Sequence, residues 1–323
     1  MEALQVQFPR GRCAIITNPP ILSTHDLQLR SQELLDCALS ANTKKLYDSA
    51  VKAYHMFCSS YLPKQVWPPS PATLVDFVSY LSLTKLSPNT VKSYIAGISY
   101  YNKLHGFPDT TQSFLLKKVL LGFSRSNLHN DGRKPITFDI LIGMAQALPK
   151  ICKSYYESTL FSTIFVTAFL GVFRMGELVQ NSKHDAGHAI QVQNVLYSPH
   201  DNTVRILLQH SKTDQEGKGV VIHLKPTHRT ICPVSFIRLY LELRPTRRGS
   251  FFCHLSGSPV TRYQVVSVFN MSIHELGLDS RAYKTHSFRI GAASNAWASG
   301  ASEQYIATEG KWKSQCLRNY IRN

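Results

Sequence analysis

The sequence predicts a mainly α-helical chain of two domains, the second of which contains a small antiparallel β-sheet. Its 323 residues, of which 43% are hydrophobic, are enough for two packed cores. Most apolar residues recur at helical spacing, whereas the β-rich runs are confined to residues 189–224. A polar, turn-rich segment, residues 125–135, lies between the two regions and predicts a linker.

The first region begins with an arm, residues 1–34, which shows no sustained periodicity and whose order the sequence leaves open. Residues 35–124 predict a compact domain of four helices. Two of these helices open with serine followed by proline, a capping residue and then the residue favoured at the first helical position. The apolar side of the third helix includes Val91, Ile98 and Leu104.

The second region, residues 136–323, predicts a helical domain with a three-stranded sheet. A long apolar helix ends at Gly171, and a further helix starts just after it. Three β-rich runs follow, AIQVQNVLYS, TVRILLQ and GVVIHL, and the glycines of HSKTDQEGKG suit a hairpin between the last two. Helices are then predicted at CPVSFIRLYLEL, YQVVSVFNMSIHELG, HSFRIGAASNAWA, SEQYIAT and SQCLRNYI.

The charge balance points to a polyanionic partner. Lys and Arg number 36 against 20 Asp and Glu, and the net charge of +16 is spread along the chain. Nucleic acid is the partner that this balance favours, and an anionic membrane surface is the weaker alternative. No apolar run reaches the roughly 18 residues needed to span a bilayer, and no signal peptide is expected. The seven cysteines form no CxxC pair, which predicts reduced intracellular thiols without a disulfide or zinc framework.

Several basic side chains lie outside the apolar stripes of the first domain or in the linker. We predict that they contact DNA, although a solvated protein surface is the alternative for each. These residues are Lys44, Lys45, Lys92, Lys117, Lys118, Arg133 and Lys134.

Six residues at junctions between predicted elements of the second domain would form a phosphate site if they converged. Guanidinium groups match phosphate oxygens in a bidentate fork. No Asp or Glu cluster could hold two Mg²⁺ ions, so a metal nuclease is disfavoured and no cofactor is expected. His184 and His188 are interpreted as loop residues and not as metal ligands. The six are Arg174, Lys212, His286, Arg289, Trp312 and Tyr320.

A tyrosine in such a site makes sense as a nucleophile. The free phenol has a pKa of about 10, so only roughly one in a thousand is ionised at pH 7. A cationic pocket with a general base would activate it, and attack on a DNA phosphate would join the protein to one strand. A lysine on the hairpin could protonate the displaced oxygen. Lys212, at the strand end, is the preferred acid, and Lys218 is the alternative.

The motifs FRMGEL, HSKTDQ, HSFR and GKWKSQCLRNY together resemble the signature of the tyrosine recombinase (integrase) family. More narrowly, they resemble the recombinases of DIRS-type retrotransposons and crypton-like DNA transposons. The resemblance covers about residues 35–323. It implies that residues 35–124 are a helical core-binding domain and residues 136–323 a mixed α/β catalytic domain.

The resemblance also implies a role for each residue of the site. Arg174 and Arg289 would clamp the scissile phosphate, and Lys212 would protonate the leaving 5′ oxygen. His286 would take part in proton transfer with the nucleophile, Tyr320. Glu177 would support the network of the site with its carboxylate, and Trp312 would donate its indole N–H to the phosphate.

The function implied is a site-specific recombinase that cuts and rejoins DNA through a 3′-phosphotyrosyl intermediate, without metal. We expect the protein to act as a dimer to tetramer on double-stranded DNA and to originate from a transposable element. In a eukaryote, we expect a nuclear location. Two alternatives stay open: a domesticated DNA-binding protein that no longer cuts, and a type IB topoisomerase-like enzyme. We further expect the short segment SQCLRNYI to be mobile in the free protein and to be ordered by DNA.

Overall fold

The computed structural model describes residues 5–7, 13–15, 22–64, 67–127, 131–182, 189–209, 218–227, 229–312, 317–318 and 320–322. The chain divides into two units, Met1–Asn130 and Asp131–Asn323. This division lies within residues 125–135, the segment in which the sequence predicts a linker.

In the residues of the first unit that the structure describes, there are a short antiparallel strand pair and five α-helices. The pair joins β1 (Gln5–Gln7) to β2 (Cys13–Ile15). The helices are α1 (Thr24–Cys37), α2 (Ala41–Tyr61), α3 (Pro71–Ser82), α4 (Pro88–Leu104) and α5 (Phe114–Ser126). Helix α1 buries none of its side chains, and its four leucines are all exposed; most of it lies within residues 1–34, where no helix was predicted.

Serine side chains begin the helices of this unit. The hydroxyls of Ser40, Ser70 and Ser87 each accept a hydrogen bond from the N–H three residues further on, which satisfies one of the free donors of the first turn. Pro71 and Pro88 occupy the first helical positions, as predicted.

Side chains from α2 to α5 form the core of the first unit. Leu104, which was predicted on the apolar side of α4, is 39% exposed because it is the last residue of the helix. At the other end of the unit, α5 continues to Ser126, so the linker starts later than predicted. The buried cluster consists of Tyr54, Phe57, Cys58, Leu74, Phe77, Val78, Leu81, Val91, Ile95, Ile98, Leu116 and Phe123.

The second unit contains seven α-helices and a three-stranded sheet among its described residues. The strands are β3 (Val195–Ser198), β4 (Thr203–Leu208) and β5 (Val220–Leu224). The helices are α6 (Phe138–Ile151), α7 (Tyr155–Leu170), α8 (Met175–Leu178), α9 (Pro233–Leu243), α10 (Arg262–Glu275), α11 (Ser287–Ala298) and α12 (Glu303–Gly310).

Helix α7 is the centre of the second core. Tyr156 and every residue from Ser158 to Phe169 are buried, and the helix packs against α6, α9 and α11. A helix that is apolar all round can be stable only when other elements surround it. The apolar run that the sequence analysis placed at the middle of the second domain is therefore confirmed in that position.

The sheet is antiparallel, as predicted, and its strand order is β3–β4–β5. The first predicted run, AIQVQNVLYS, is a strand only from Val195, because Val192–Asn194 form a 3-10 turn. Val204, Ile206 and Leu208 alternate with exposed residues along β4 and face the core. The predicted hairpin loop between β4 and β5 lies outside the described residues over 210–217, and this part includes Lys212.

The short helix predicted at SQCLRNYI lies outside the described residues at positions 314–316 and 319, and its other residues are not α-helical. Leu317 and Arg318 form a 3-10 turn, and Tyr320 lies in a turn just after it. Across the helices that the structure describes, none is both long enough and apolar enough to cross a lipid bilayer.

Candidate active site

Three pieces of the second unit meet at one place: the turn between α7 and α8, the start of α11, and the chain after α12. The first carries Arg174, the second carries His286 and Arg289, and the third carries Trp312 and Tyr320. Hydrogen bonds and ring contacts join residues of all three pieces. The structure therefore brings together five of the six residues that the sequence analysis selected for a phosphate site.

Arg174 and Glu177 form a closed pair at the start of α8. Nη1 of Arg174 donates to Oε1 of Glu177 over 3.0 Å, and the backbone N–H of Arg174 donates to Oε2 over 2.8 Å. The Glu177 side chain is 7% exposed, whereas that of Arg174 is 21% exposed. The carboxylate thus holds the guanidinium at the border of the site, which agrees with a supporting position for Glu177.

His286 contacts the phenol of Tyr320 directly. Its Nε2 lies 3.2 Å from the Tyr320 hydroxyl oxygen. Burial, followed by the nearby charges of Arg133, Arg289 and Arg174, lowers the pKa of His286 to about 4. The imidazole is therefore neutral at pH 7, and with the proton on Nδ1 its Nε2 accepts a hydrogen bond from the hydroxyl.

Arg289 is wholly buried, with 0% of its surface exposed. Its Nη1 donates to the carbonyl oxygen of Val172, and its Nη2 donates to that of Gly310 over 2.8 Å. The guanidinium carbon lies 4.6 Å from the ring centroid of Trp312 and 5.5 Å from that of Tyr320. Arg289 thus ties the three pieces of the site together, while its role as a phosphate clamp stays a prediction.

The two carbonyl groups that accept from Arg289 come from unusual backbone turns. Val172 has φ of 50°, in the left-handed region that a β-branched residue rarely adopts. Gly310 precedes Lys311, which also lies in this region. A Cβ on Gly310 would meet the Trp312 ring at 2.0 Å, so a glycine is needed for the indole to fold back over the chain.

Trp312 and Tyr320 stack at the front of Arg289. Their ring centroids are 4.6 Å apart with an interplanar angle of 40°. Nε1 of Trp312 is buried and has no hydrogen-bond partner among the described residues. An unpaired buried N–H is costly, which favours an acceptor from a bound molecule. Whether this donor reaches a phosphate stays a prediction.

The segment that carries Tyr320 is packed against its own chain. The Tyr320 carbonyl oxygen accepts from Oγ of Ser294 over 3.3 Å, and the Arg322 N–H donates to the same Oγ over 2.8 Å. Leu317 is 2% exposed and packs in a small core with Ile306 and Trp312. The mobility expected for this segment stays a prediction, but it would have to break these contacts.

Asp131 joins this segment to the start of the second unit. Its carboxylate accepts from Nη2 of Arg322 over 3.0 Å. It also accepts from Nε and Nη2 of Arg133 over 2.7 and 2.8 Å. Arg133 was predicted as a DNA contact in the linker, and its charge is among the causes of the low pKa of His286.

The position of Arg133 is set by close packing behind it. The N–H of Ile136 donates to the carbonyl oxygen of Ser287 over 3.0 Å. A Cβ on Gly291 would lie 1.8 Å from the Ile136 carbonyl oxygen, so only glycine lets α11 and this segment approach so closely. The segment around Arg133 is thereby fixed beside His286.

Sequence reasoning gave no role to three side chains that complete this site. Asp131 and Ser294 hold the Tyr320 segment, as described above, and carry no motif that could have identified them. Lys311 lies next to Trp312 in the motif GKWK, and its Nζ is 3.6 Å from Oε2 of Glu177. The available signal in the sequence was a lysine next to a selected tryptophan. The sequence does not show that this lysine is buried.

The other predicted residues lie elsewhere or cannot be placed. Lys212, the predicted acid, and the two loop histidines, His184 and His188, fall outside the described residues. Lys218, the alternative acid, is exposed just before β5. The predicted DNA contacts Lys44, Lys45, Lys92, Lys117, Lys118 and Lys134 are all exposed, which leaves their role a prediction.

The arrangement has the parts needed for nucleophilic attack on an anion. A phenol touches a neutral imidazole, and guanidinium groups surround both. A base in contact with a hydroxyl can remove its proton, and fixed cations stabilise negative charge that develops in a transition state. The geometry suits transfer of a phosphoryl group to Tyr320.

Several solved structures are similar to this chain. The XerH site-specific recombinase bound to difH substrate has a TM-score of 0.61 at 16% sequence identity, over 86% of this chain and 75% of that chain. A lambda integrase dimer bound to a COC′ core site has a TM-score of 0.61 at 14% identity, over 93% and 96%. The Tn1549 transposon integrase in complex with circular intermediate DNA gives 0.60 at 11%, over 92% and 94%.

These likenesses establish the fold at low sequence identity. No model of a known protein family matches the chain, and no curated protein sequence matches it. The chain is mainly helical with a small three-stranded antiparallel sheet, and this fold matches that of tyrosine recombinase catalytic domains.

Proposed function

We propose that this chain is a tyrosine recombinase that cuts and rejoins DNA strands through a covalent 3′-phosphotyrosyl link. One observation carries the proposal: the Tyr320 hydroxyl lies 3.2 Å from Nε2 of His286, beside the buried guanidinium of Arg289. The fold that the chain shares with XerH and lambda integrase supports the same function. A protein that only binds DNA needs no such phenol–imidazole pair.

In the proposed reaction the phenolic oxygen attacks the phosphorus of a DNA phosphodiester. The phenolic proton passes to Nε2 of His286, which is neutral because burial lowers its pKa to about 4. A bond forms between Tyr320 and phosphorus, and the bond from phosphorus to the 5′ oxygen breaks. The leaving oxygen takes a proton from Lys212, and the reverse sequence of steps rejoins the strand.

Positive side chains offset the charge that gathers on the phosphate in this reaction. Arg174 is held by one nitrogen, Nη1, and no described residue engages its Nε or Nη2. These free donors suit the fork-like binding of a phosphate. Because guanidinium groups supply the compensating charge, we expect cleavage without a metal ion or other cofactor.

The narrower assignment is to recombinases like those of DIRS-type retrotransposons and crypton-like transposons. It rests on the resemblance of the motifs FRMGEL, HSKTDQ, HSFR and GKWKSQCLRNY taken together, the last of which places Trp312 eight residues before Tyr320. We further propose that the protein acts as a dimer to tetramer on DNA and, in a eukaryote, in the nucleus. The Tn1549 transposon integrase among the similar structures supports an origin in a transposable element.

The decisive test is whether the protein forms a covalent adduct with a nicked DNA duplex. On this substrate the short strand released by cleavage diffuses away. Wild-type protein should form an adduct that survives detergent in the presence of a chelator, and Tyr320→Phe should bind the same DNA without forming it. Tyr305→Phe is the matched control, because the Tyr305 side chain is 57% exposed on α12 and makes no hydrogen bond or ring contact with the described residues of the site. An adduct retained in Tyr320→Phe would contradict the proposal. Relaxation of supercoiled DNA without strand exchange would indicate the topoisomerase alternative.

A further inference from the structure

Lys311 is a buried lysine inside the candidate site. Its side chain is 7% exposed, and no described residue offers a hydrogen-bond acceptor to its Nζ. The residue follows α12 in the left-handed region, with φ of 56° and ψ of 39°. Its ammonium lies 4.6 Å from the ring centroid of Phe173. A strained backbone around a buried charge is costly, and such features concentrate at functional sites.

The charged groups that face this ammonium belong to the site. Oε2 of Glu177 is 3.6 Å away, a distance for an ion pair and too long for a hydrogen bond. Arg174 at the start of α8 and Arg289 on α11 act on it as like charges. Burial, opposed by Glu177 and reinforced by the two arginines, lowers the pKa of Lys311 to about 8.

One short segment therefore reaches three parts of the site. The carbonyl oxygen of Gly310 accepts from Arg289, the ammonium of Lys311 pairs with Glu177, and the Trp312 ring stacks on Tyr320. Glu177 divides its carboxylate, with Oε1 accepting from the guanidinium of Arg174 and Oε2 lying towards Lys311.

We propose that Lys311 is a positioning residue that acts through Glu177 on Arg174. Together with the backbone N–H of Arg174, which donates to Oε2 over 2.8 Å, the Lys311 ammonium keeps the carboxylate from turning to bind the Arg174 guanidinium with both oxygens. The Nε and Nη2 donors of Arg174 then stay available for the scissile phosphate. This inference rests on the proposed recombinase function, because it assigns Arg174 a phosphate to bind.

The primary test compares Lys311→Met with wild type in single-turnover adduct formation and in DNA binding. The cleavage rate should fall by about 10- to 100-fold, the scale of a displaced catalytic group, while DNA affinity changes little. Lys311→Gln, which is also uncharged, is measured alongside so that the result does not depend on one folded variant. The matched control is Lys150→Met, because Lys150 forms a comparable pair with Glu275 at 3.4 Å but is 75% exposed. Its rate should equal that of wild type.

A double-mutant cycle separates positioning from a direct role. If Lys311 acts through Glu177, Lys311→Met should add little to the defect of Glu177→Gln. Fully additive effects would overturn the inference. A substrate with a 5′-sulfur leaving group needs no acid, so rescue of Lys311→Met by that substrate would make Lys311 the proton donor and overturn the positioning role. A defect that this substrate does not rescue supports it.

Failure of the inference and failure of the proposed function give different results. Absence of an adduct in wild type refutes the recombinase function itself. A wild-type adduct with an unchanged rate in Lys311→Met refutes the positioning role alone.

The burial of Lys311 can be tested separately through the pH dependence of stability. A lysine whose pKa is lowered in the folded protein binds fewer protons there than in the unfolded chain. The unfolding free energy should rise between pH 8 and 10.5 in wild type and lose this rise in Lys311→Met.

Discussion

The contact of Asp131 with Arg322 makes a sharp prediction about the segment that carries the nucleophile. The two side chains are 3.0 Å apart and are 25% and 37% exposed, for Arg322 and Asp131 respectively. A partly exposed pair of this kind is worth about 0.5–1 kcal/mol after solvent screening. Asp131→Asn should therefore raise the population of the opened segment about two- to fivefold. The amide of Arg322, which donates to Ser294, should exchange its hydrogen faster by the same factor.

The assay is amide hydrogen exchange on the free protein, followed at residues 320–322. Asp279→Asn is the matched control, because Asp279 pairs with Arg281 in the same Asp-X-Arg arrangement but makes no described contact with the tail. It should leave exchange at Arg322 unchanged. Equal exchange in wild type and Asp131→Asn would refute the view that Asp131 holds the segment. Exchange at the unprotected rate already in wild type would show that the packed tail does not persist in solution.

Three further predictions follow from particular contacts. Gly291→Ala should destabilise the second unit by ~3 kcal/mol or more in thermal melts, because the added Cβ would lie 1.8 Å from a carbonyl oxygen. Gly122→Ala, with open space around the added Cβ, should be neutral or stabilising in the same assay. An NMR titration of His286 should give a pKa near 4, and a titration midpoint near 6.5 would contradict its burial beside cations. The free energy of unfolding should then be unaffected by His286 above pH 6.5 and should fall as the pH drops towards 4. DNA affinity should fall steeply with salt, and Lys117→Gln should reduce the slope of log K against log salt by about 0.9 if Lys117 contacts a phosphate, while an unchanged slope removes it from the interface.

The sequence predicted the elements that local rules control. Serine–proline caps located the starts of α3 and α4, and three β-rich runs located β3 to β5. No helix was predicted at α1, whose four leucines are all exposed in the structure. Local rules failed at the end of the chain, where a helical pattern was expected and Tyr320 lies in a turn. Leu317 packs there in a small core with Trp312, a contact that the sequence does not show.

For the candidate site, the sequence identified residue types, whereas the contacts between these residues depend on the tertiary structure. The sequence by itself selected Arg174, His286, Arg289, Trp312 and Tyr320, because these side chains share a chemistry that phosphate transfer requires. Only the tertiary structure decided which groups touch: the neutral imidazole on the phenol, and the burial of Arg289 between two carbonyl groups. It also brought in Lys311 and Asp131, which no motif marks. The reason is physical, because a pKa shift or a buried ion pair depends on neighbours that are distant in sequence, and only folding places them within a few ångströms.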